Sequence, residues 1–234
     1  MPSSRDVLRD RLRSVQDRIG AACARAGRHP SDVVLVAVTK KVPTSLAALL
    51  PELGLLDLGE NRPQELWRKA AELPKTIRWH LIGHLQRNKV EPTLPLVNLI
   101  HSIDSQRLLD AIDQEATKQG RMAEVLLEVN VADEESKHGL SRDALLALAE
   151  PLARLSHVRV CGLMTMAPLQ EAEKCRPVFA ALRELRDRFQ DRVGAGHELT
   201  ELSMGMSNDF EVAVEEGATM VRLGTVLWEG MDAV

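Results

Sequence analysis

The chain alternates short apolar runs with longer stretches in which apolar residues recur every three or four positions. The apolar runs are four to eight residues long, a length typical of buried strands, and the longer stretches have the spacing of amphipathic helices. The predicted strands are residues 33–38, 55–59, 79–83, 96–103, 125–131, 158–164, 199–204 and 220–223. The predicted helices between them are residues 62–73, 105–119, 141–155, 171–189 and 207–216. This alternation predicts a parallel sheet covered by helices.

Eight strands within 234 residues favour a closed barrel over an open doubly wound sheet. A further amphipathic helix is predicted over residues 4–26, ahead of the first strand, and Gly27 follows it as a helix-ending residue. We therefore predict an α/β fold, a single-domain (β/α)8 TIM-like barrel spanning residues 1–234. Residues 1–27 are expected to form an extra N-terminal helix that packs on the barrel.

Composition and charge limit the kinds of binding partner and the cellular compartments that suit this chain. The formal net charge is −4 at pH 7, and acidic and basic residues are mixed along the chain, which argues against nucleic acid as the main partner. No apolar run reaches the roughly 18 residues of a membrane span. The 3 cysteines have no CxxC spacing, as expected for free thiols in a reducing compartment. We expect a cytoplasmic protein, and a monomer because a barrel pairs its own strand edges.

Lys40 is the most informative residue of the chain. It follows the first apolar run with only Thr39 between them, and it is itself followed by Lys41 and, after Val42, by the helix-breaking Pro43. We expect a lysine at the end of a buried strand to be desolvated, and desolvation favours the neutral amine. A neutral lysine amine is the nucleophile that forms Schiff bases with aldehydes. The pattern therefore predicts an aldehyde ligand.

Chemically useful residues follow every predicted strand. In barrels of this class the functional groups lie where the strands end, at the carboxyl-terminal face. The residues in these positions are Lys40, Glu60, Asn61, His84, Asp104, Lys137, Thr165, Ser207, Gly224 and Thr225. They are expected to cluster at one end of the barrel.

The last two strands lead into a predicted anion site. Residues 202–209 pass from a strand through a glycine turn into a helix, with Ser207 as the expected N-cap, so that free backbone N–H groups face the end of the barrel. Arg222, Gly224 and Thr225 place a cation, a glycine and a hydroxyl after the last strand. Taken alone, Ser207 is more often only a cap and Gly224 only a turn. Combined with the strand-1 lysine, they predict an aldehyde that carries a phosphate.

These residues resemble those of the barrels that bind pyridoxal 5′-phosphate (PLP). Within that group, the chain resembles the pyridoxal phosphate homeostasis protein family, a single-domain relative of the alanine racemase barrel. Several motifs occur in the family's order over nearly the whole chain. They are residues 36–40, 59–61, 79–83, 85–89, 136–139, 162–164, 202–207 and 220–225.

The resemblance implies PLP as the cofactor, held as a Schiff base on Lys40. Ser207, Gly224 and Thr225 would hold the phosphate. Arg222 would face the pyridine nitrogen and Asn61 the polar edge of the ring, with Met164 and Met204 near the ring faces. The family often has a second lysine two positions after the first, but this chain has Lys40, Lys41 and Val42 in order. Lys41 is thus the fallback for Lys40, and any role of the missing lysine is in doubt.

The resemblance further implies a binder with little or no catalysis, which contributes to intracellular PLP and amino-acid homeostasis and contacts apo PLP enzymes transiently. The loop of residues 133–139 offers two interpretations. Lys137 is either a second docking point for outgoing cofactor or part of a solvated, charged turn.

An amino-acid racemase is the main alternative function. An arginine near the pyridine nitrogen disfavours its protonation, which weakens the cofactor as an electron sink. Racemases of the related fold also need a second base, usually a tyrosine, and this chain has none. His80, His84 or Cys161 are the remaining candidates for that base. A lysine aldolase on the same barrel is a third possibility. A metal site at His80 and His84 is disfavoured because the two residues straddle a strand end.

Overall fold

The computed structural model describes residues 2–132 and 139–231. Eight parallel strands close into a barrel in sequence order. They are β1 Val34–Val38, β2 Asp57–Glu60, β3 Arg78–Leu81, β4 Leu99–Ile103, β5 Ala123–Glu128, β6 Val158–Met164, β7 Glu201–Ser203 and β8 Met220–Leu223. β8 pairs with β1 from Val34 opposite Met220 to Ala37 opposite Leu223, and this pairing completes the barrel. The predicted fold class is confirmed.

Helices surround the strands. They are α1 Ser4–Arg25, α2 Thr44–Ala47, α3 Leu49–Glu52, α4 Pro63–Glu72, α5 Val90–Thr93, α6 Gln106–Lys118, α7 Arg142–Ala147, α8 Ala149–Leu152, α9 Ala172–Gln190, α10 Phe210–Glu215 and α11 Thr225–Trp228. Two short 3₁₀ helices lie at Pro30–Asp32 and Arg87–Lys89. Within the described part of the chain, no helix has the length and hydropathy that crossing a membrane requires.

The predicted boundaries differ from the observed ones at most strands by one to three residues at one or both ends, whereas residues 158–164 and 220–223 match. The predicted helix over residues 141–155 is two helices, α7 and α8, because Pro151 cannot continue a helix from the preceding turn. It is the third residue of α8, where its missing N–H needs no partner. Pro51 in α3 and Pro92 in α5 have the same position. α2, α3 and α5 have 4 residues each, which is too short for a helical spacing of apolar residues to be recognised in the sequence.

Helix α1 packs outside β8, against α10 and α11. It buries one apolar face, and Arg18 on its flank makes two hydrogen bonds of 3.0 Å to Glu211 of α10. Arg11 donates to the Leu227 carbonyl oxygen at 2.9 Å, which ties the same helix to α11. The N-terminal helix therefore supports the two elements that carry the loops after β7 and β8.

The hydrophobic core has two parts. The larger cluster joins the outer face of the strands to the helices. The smaller one consists of strand residues from around the barrel, so it fills the barrel interior; its buried members are Leu99, Leu126, Met164 and Met220. Most of the interior is therefore left to polar side chains, which determine the character of the candidate site.

Gly162→Ala should destabilise the barrel. A Cβ at Gly162 would come 1.9 Å from the Glu201 carbonyl oxygen on β7, so the strand backbones would have to separate. We expect a loss of at least about 1–3 kcal/mol in the free energy of unfolding, measured with urea.

Gly20→Ala is the matched control. Gly20 lies inside α1, and a Cβ there meets only the Pro30 ring at 3.9 Å. Alanine should add about 0.5–1 kcal/mol of stability, since it loses less backbone entropy in a helix. Equal effects of the two substitutions would contradict the tight contact between β6 and β7.

Candidate functional site

The ends of β1 and β8 meet at the carboxyl-terminal rim, the end of the barrel where the strands finish. The Trp228 indole N–H donates to the Val38 carbonyl oxygen at 2.9 Å, joining α11 to the last residue of β1. Lys40 follows Val38 by two residues, and Gly224 directly follows β8. The predicted lysine and the predicted phosphate loop are therefore at the same end of neighbouring strands.

Lys40 does not extend the buried strand. β1 ends at Val38, and a turn closed by the Val42 N–H and the Thr39 carbonyl oxygen, 2.9 Å apart, takes both lysines out of it. Lys40 and Lys41 are exposed, so the expectation of a desolvated amine was wrong. Lys41 has a φ of 63°, in the left-handed region that is unfavourable for a residue with a Cβ. Within the described residues the Lys40 amine has no hydrogen bond or ion pair, so it is available to a ligand.

A buried ion pair anchors the residue before Lys40. The Lys69 amine of α4 lies 2.6 Å from Glu60 Oε1 and 2.7 Å from the Thr39 carbonyl oxygen. The Thr39 hydroxyl donates to the same Glu60 oxygen at 2.7 Å. Glu60 is 0% exposed and Lys69 1% exposed, so Glu60 does not belong to the rim as predicted. Its Oε2 is buried with no hydrogen-bond partner among the described residues. The pair fixes the start of the lysine turn from outside the barrel.

Ser207 lies beside the loop after β8 but does not cap a helix. Helix α10 begins at Phe210, with Asp209 in the N-cap position, so the predicted cap was wrong. The Asp209 carboxylate accepts a hydrogen bond of 2.6 Å from the Met206 N–H and closes its own turn before the helix. The Ser207 hydroxyl instead accepts from the Val226 N–H at 3.4 Å. The structure thus brings Ser207 to the end of β8, where Gly224 leads into α11 at Thr225.

Arg222 is a cation inside the barrel. It is 4% exposed, and burial lowers the pKa of its guanidinium to about 10. One terminal nitrogen donates to the Ser203 hydroxyl at 2.6 Å and the other to the Thr165 carbonyl oxygen at 2.9 Å. Both acceptors are neutral, and the charges of Glu128 and Asp209 act on Arg222 through space, which opposes the effect of burial on its pKa. A buried cation held in this way has capacity for a further acceptor at the rim.

Two histidines extend this network through the barrel. The Ser203 hydroxyl oxygen lies 2.8 Å from His101 Nδ1, and His101 Nε2 lies 2.9 Å from His80 Nδ1. His80 Nε2 is 3.0 Å from Asp57 Oδ1, and Arg78 binds the same carboxylate. Burial raises the pKa of Asp57, but the hydrogen bonds from His80 and Arg78 outweigh it and bring the pKa down to about 2. Burial holds the pKa of His101 well below its usual value.

Sequence reasoning did not identify His101, Ser203 or Lys69. The available signals were a histidine in the middle of the apolar run 96–103 and a lysine on the buried face of α4. His80 was considered only as a metal ligand or a base, and its place in the interior network was not predicted. Within the described residues, no group of three or more histidine, cysteine or acidic side chains could hold a metal ion.

The other residues predicted to contact the cofactor, Asn61, Met164 and Met204, lie in three different parts of the structure. Asn61 is half-buried, and Gly83 lies so close to it that a Cβ there would come 2.3 Å from the Asn61 carbonyl oxygen. Asn61 and His84 line an open pocket of about 430 Å³ at the start of α4. Met164 belongs to the cluster inside the barrel, whereas Met204 is fully buried in the larger outer cluster. The structure therefore brings Met164, and not Met204, to the same interior as Arg222.

The two remaining predicted positions are His84 and Lys137. His84 is exposed at the end of β3, where its Nδ1 lies 3.2 Å from Asp104 Oδ2. Lys137 lies outside the described residues.

The residues at the rim fit a phosphorylated aromatic aldehyde. The Lys40 amine is the group that reacts with an aldehyde. The Ser207 hydroxyl and the backbone beside Gly224 offer hydrogen-bond donors for an anion. Arg222 offers a charged donor to a ring acceptor. The chemistry of this donor set matches PLP, which carries an aldehyde, a phosphate and a pyridine nitrogen.

Comparisons with known proteins cover nearly the whole chain. A family model described as alanine racemase, N-terminal domain, matches residues 11–231. A pyridoxal phosphate homeostasis protein of Aquifex aeolicus is 45% identical over 221 residues, which cover 94% of this chain and 96% of that protein. An unknown protein from Bifidobacterium adolescentis has a similar crystal structure, with 36% identity and a TM-score of 0.90 over 96% of this chain and 95% of that one. PipY of Synechococcus elongatus, solved with PLP bound, has 36% identity and a TM-score of 0.81 over 94% and 99%.

Lys69→Met should strongly destabilise the protein because it leaves the Glu60 carboxylate buried without its cation. We expect a loss of about 3–5 kcal/mol in the free energy of unfolding. The double variant Glu60→Met with Lys69→Met should lose much less, since an apolar pair of similar volume can replace a buried ion pair.

Arg154→Met supplies the control. It removes the exposed pair in which Arg154 lies 2.6 Å from Glu150, and it should leave the stability unchanged within error. If Lys69→Met is as harmless as Arg154→Met, the buried pair does not anchor the lysine turn.

Proposed function

We propose that this chain binds PLP as a Schiff base on Lys40. The chain belongs to the alanine racemase N-terminal domain family and, within it, to the pyridoxal phosphate homeostasis protein family. One observation carries the proposal. The Lys40 amine is exposed and without a partner in the described structure, at the end of the strand that neighbours the predicted phosphate loop. The PLP-bound structure of PipY, 36% identical, supports it.

Each residue at the rim has a definite part in binding. The Lys40 amine attacks the aldehyde carbon, a C=N bond forms, and the carbonyl oxygen leaves as water. Ser207 and the backbone of Gly224 and Thr225 hold the phosphate. Arg222 donates a hydrogen bond to the pyridine nitrogen and keeps it unprotonated. The cofactor supplies the aldehyde and an aromatic ring that can accept electrons when that nitrogen is protonated.

The remaining contacts orient the ring. Asn61 lies near its polar edge and Met164 near one face. Met204 was predicted for the other face, and its burial in the outer cluster gives that assignment no geometric support.

The role that follows is storage and delivery of PLP with little or no catalysis. A Schiff base on an exposed lysine is open to water and to other amines, so it can be formed and released. Release to apo PLP enzymes through transient contacts would limit free aldehyde and influence amino-acid homeostasis. We place this role in the cytoplasm and assign it to a monomer. Cys23, Cys161 and Cys175 form no disulfide in the described structure, which is consistent with a reducing compartment.

An amino-acid racemase is the alternative, and one observation favours keeping it. Of the three candidates for the second base, His80 is engaged in the interior network, and burial raises the pKa of Cys161 to about 11. His84 alone is exposed at the end of a strand, and Asp104 is placed to orient its ring. A racemase would therefore have to use His84 as its second base.

Lys40→Ala should abolish the visible absorption band that appears when PLP is added to the protein. Borohydride should reduce the wild-type linkage and leave the cofactor covalently attached, and peptide mass spectrometry should locate it on Lys40. The variant removes the amine that forms the C=N bond, so no reduced adduct should remain.

Lys41→Ala is the matched control, because it removes an equally exposed neighbouring amine and should keep both the band and the adduct. A band that survives in Lys40→Ala and disappears in Lys41→Ala would move the linkage to Lys41. A wild-type protein that stays colourless with PLP would overturn the proposed function and favour a lysine aldolase.

The PLP-loaded protein should not accelerate exchange of the Cα hydrogen of L-alanine in deuterated water beyond the rate that free PLP gives, because no base faces the ring opposite Lys40 in the proposed role. Proton NMR measures this exchange. Faster exchange that disappears in His84→Gln would establish the racemase alternative instead.

A further inference from the structure

A continuous hydrogen-bonded chain crosses the barrel from its carboxyl-terminal end to its amino-terminal end. It begins at Arg222 on β8, passes through Ser203 on β7, His101 on β4 and His80 on β3, and ends at Asp57, the first residue of β2. All five side chains are buried, and the four heavy-atom separations lie between 2.6 and 3.0 Å. A guanidinium and a carboxylate thus terminate a chain of one hydroxyl and two imidazoles.

The ends of the chain determine which atom carries each proton. A guanidinium can only donate, so Arg222 gives a hydrogen to the Ser203 oxygen. The single Ser203 hydrogen is then free for His101 Nδ1, which accepts it. A neutral His101 carries its own hydrogen on Nε2 and donates to His80 Nδ1. His80 in turn carries its hydrogen on Nε2, where the ionised Asp57 carboxylate accepts it.

One competing arrangement satisfies fewer groups. If His80 were an imidazolium that donated at both nitrogens, His101 would carry its hydrogen on Nδ1 and direct it at Ser203. The Ser203 oxygen would then receive two hydrogens, and its own hydrogen would have no acceptor among the described residues. This arrangement would also put a third cation in line with Arg222 and Arg78, which already neutralises Asp57. A buried unsatisfied hydroxyl costs about 1–3 kcal/mol, so the neutral arrangement is favoured.

We propose that this chain has one proton arrangement, with His80 and His101 both neutral and protonated on Nε2, and that Ser203 and His101 are positioning residues that hold Arg222 as a permanent donor towards the rim. Since Asp57 is ionised, all hydrogens of the chain are directed towards it, and a guanidinium does not give up its proton, the chain cannot protonate a group bound to Arg222. The part that concerns the pyridine nitrogen rests on the proposed function. The arrangement of protons does not.

His197 provides an internal reference for this inference. Its Nδ1 accepts from the Val160 N–H at 3.2 Å, and its Nε2 lies 3.2 Å from the Leu152 carbonyl oxygen, which can only accept. Backbone groups therefore fix His197 as the Nε2–H form, outside the chain. Its ring gives the expected spectral pattern in the same sample.

The first test uses the full-length protein without PLP. Long-range proton–nitrogen NMR of the 7 histidines, labelled with ¹⁵N, distinguishes the two neutral forms and the imidazolium. Cross-peaks between the rings of His80 and His101, whose centroids are 5.1 Å apart, assign the pair without any substitution. At neutral pH both should match the Nε2–H pattern of His197. An imidazolium at His80 or an Nδ1–H form of His101 would overturn the proposal.

The second test measures the consequence at Arg222. With PLP labelled with ¹⁵N at the ring nitrogen, the wild-type protein should show an unprotonated, hydrogen-bonded nitrogen. Ser203→Ala removes the hydroxyl that accepts from Arg222, so the ring-nitrogen signal should move towards that of free PLP in water. Ser203→Thr keeps a hydroxyl and should preserve the wild-type signal.

An unchanged signal in Ser203→Ala would show that the chain does not position Arg222. Failure of the wild type to bind PLP would refute the proposed function, while the histidine spectra would still decide the proton arrangement.

Discussion

Closure of the barrel between β8 and β1 is the constraint on which the site depends. In a parallel barrel every strand ends at the same rim, and the last strand must lie beside the first. The pairing of Ala37 with Leu223 therefore places the chain leaving β1 next to the chain leaving β8. A lysine after the first strand and the predicted phosphate loop after the last strand become neighbours, although about 180 residues separate Lys40 from Gly224 in the sequence.

Closure also removes the barrel interior from water, so polar side chains inside it must satisfy one another. Arg222 would be costly as an isolated buried charge. It is tolerated because neutral acceptors contact both ends of its guanidinium and because the opposite charges of Glu128 and Asp209 act on it. Outside the barrel, Glu60 and Lys69 are also buried, and they form an ion pair with each other. The site thus rests on two separate buried networks, one holding the cation and one holding the turn of the lysine.

The architecture could be predicted from the sequence because most strands lie in short, largely apolar runs and turn residues separate the strands from the helices. The errors at the site have a common physical origin. Whether Lys40 is buried depends on where the turn at Thr39 leaves the strand, and that is decided by Lys69 of α4. The helix start after Ser207 depends on the Asp209 carboxylate. Such contacts between separate elements leave no periodic signal, whereas strand and helix patterns do.

In the proposed role, the arrangement of charge favours holding an aldehyde over reacting further with it. Chemistry at the α-carbon of an amino acid needs a protonated ring nitrogen to draw electrons away and a base on each face of the ring. In the proposed arrangement, Arg222 occupies the position from which that proton would have to come, and the hydrogens of the chain behind it are all directed towards Asp57. At the rim, the exposed Lys40 amine stays accessible to water, which favours reversal of the C=N bond. In the proposed role, the residues that hold the phosphate and the ring nitrogen therefore also disfavour chemistry at the α-carbon.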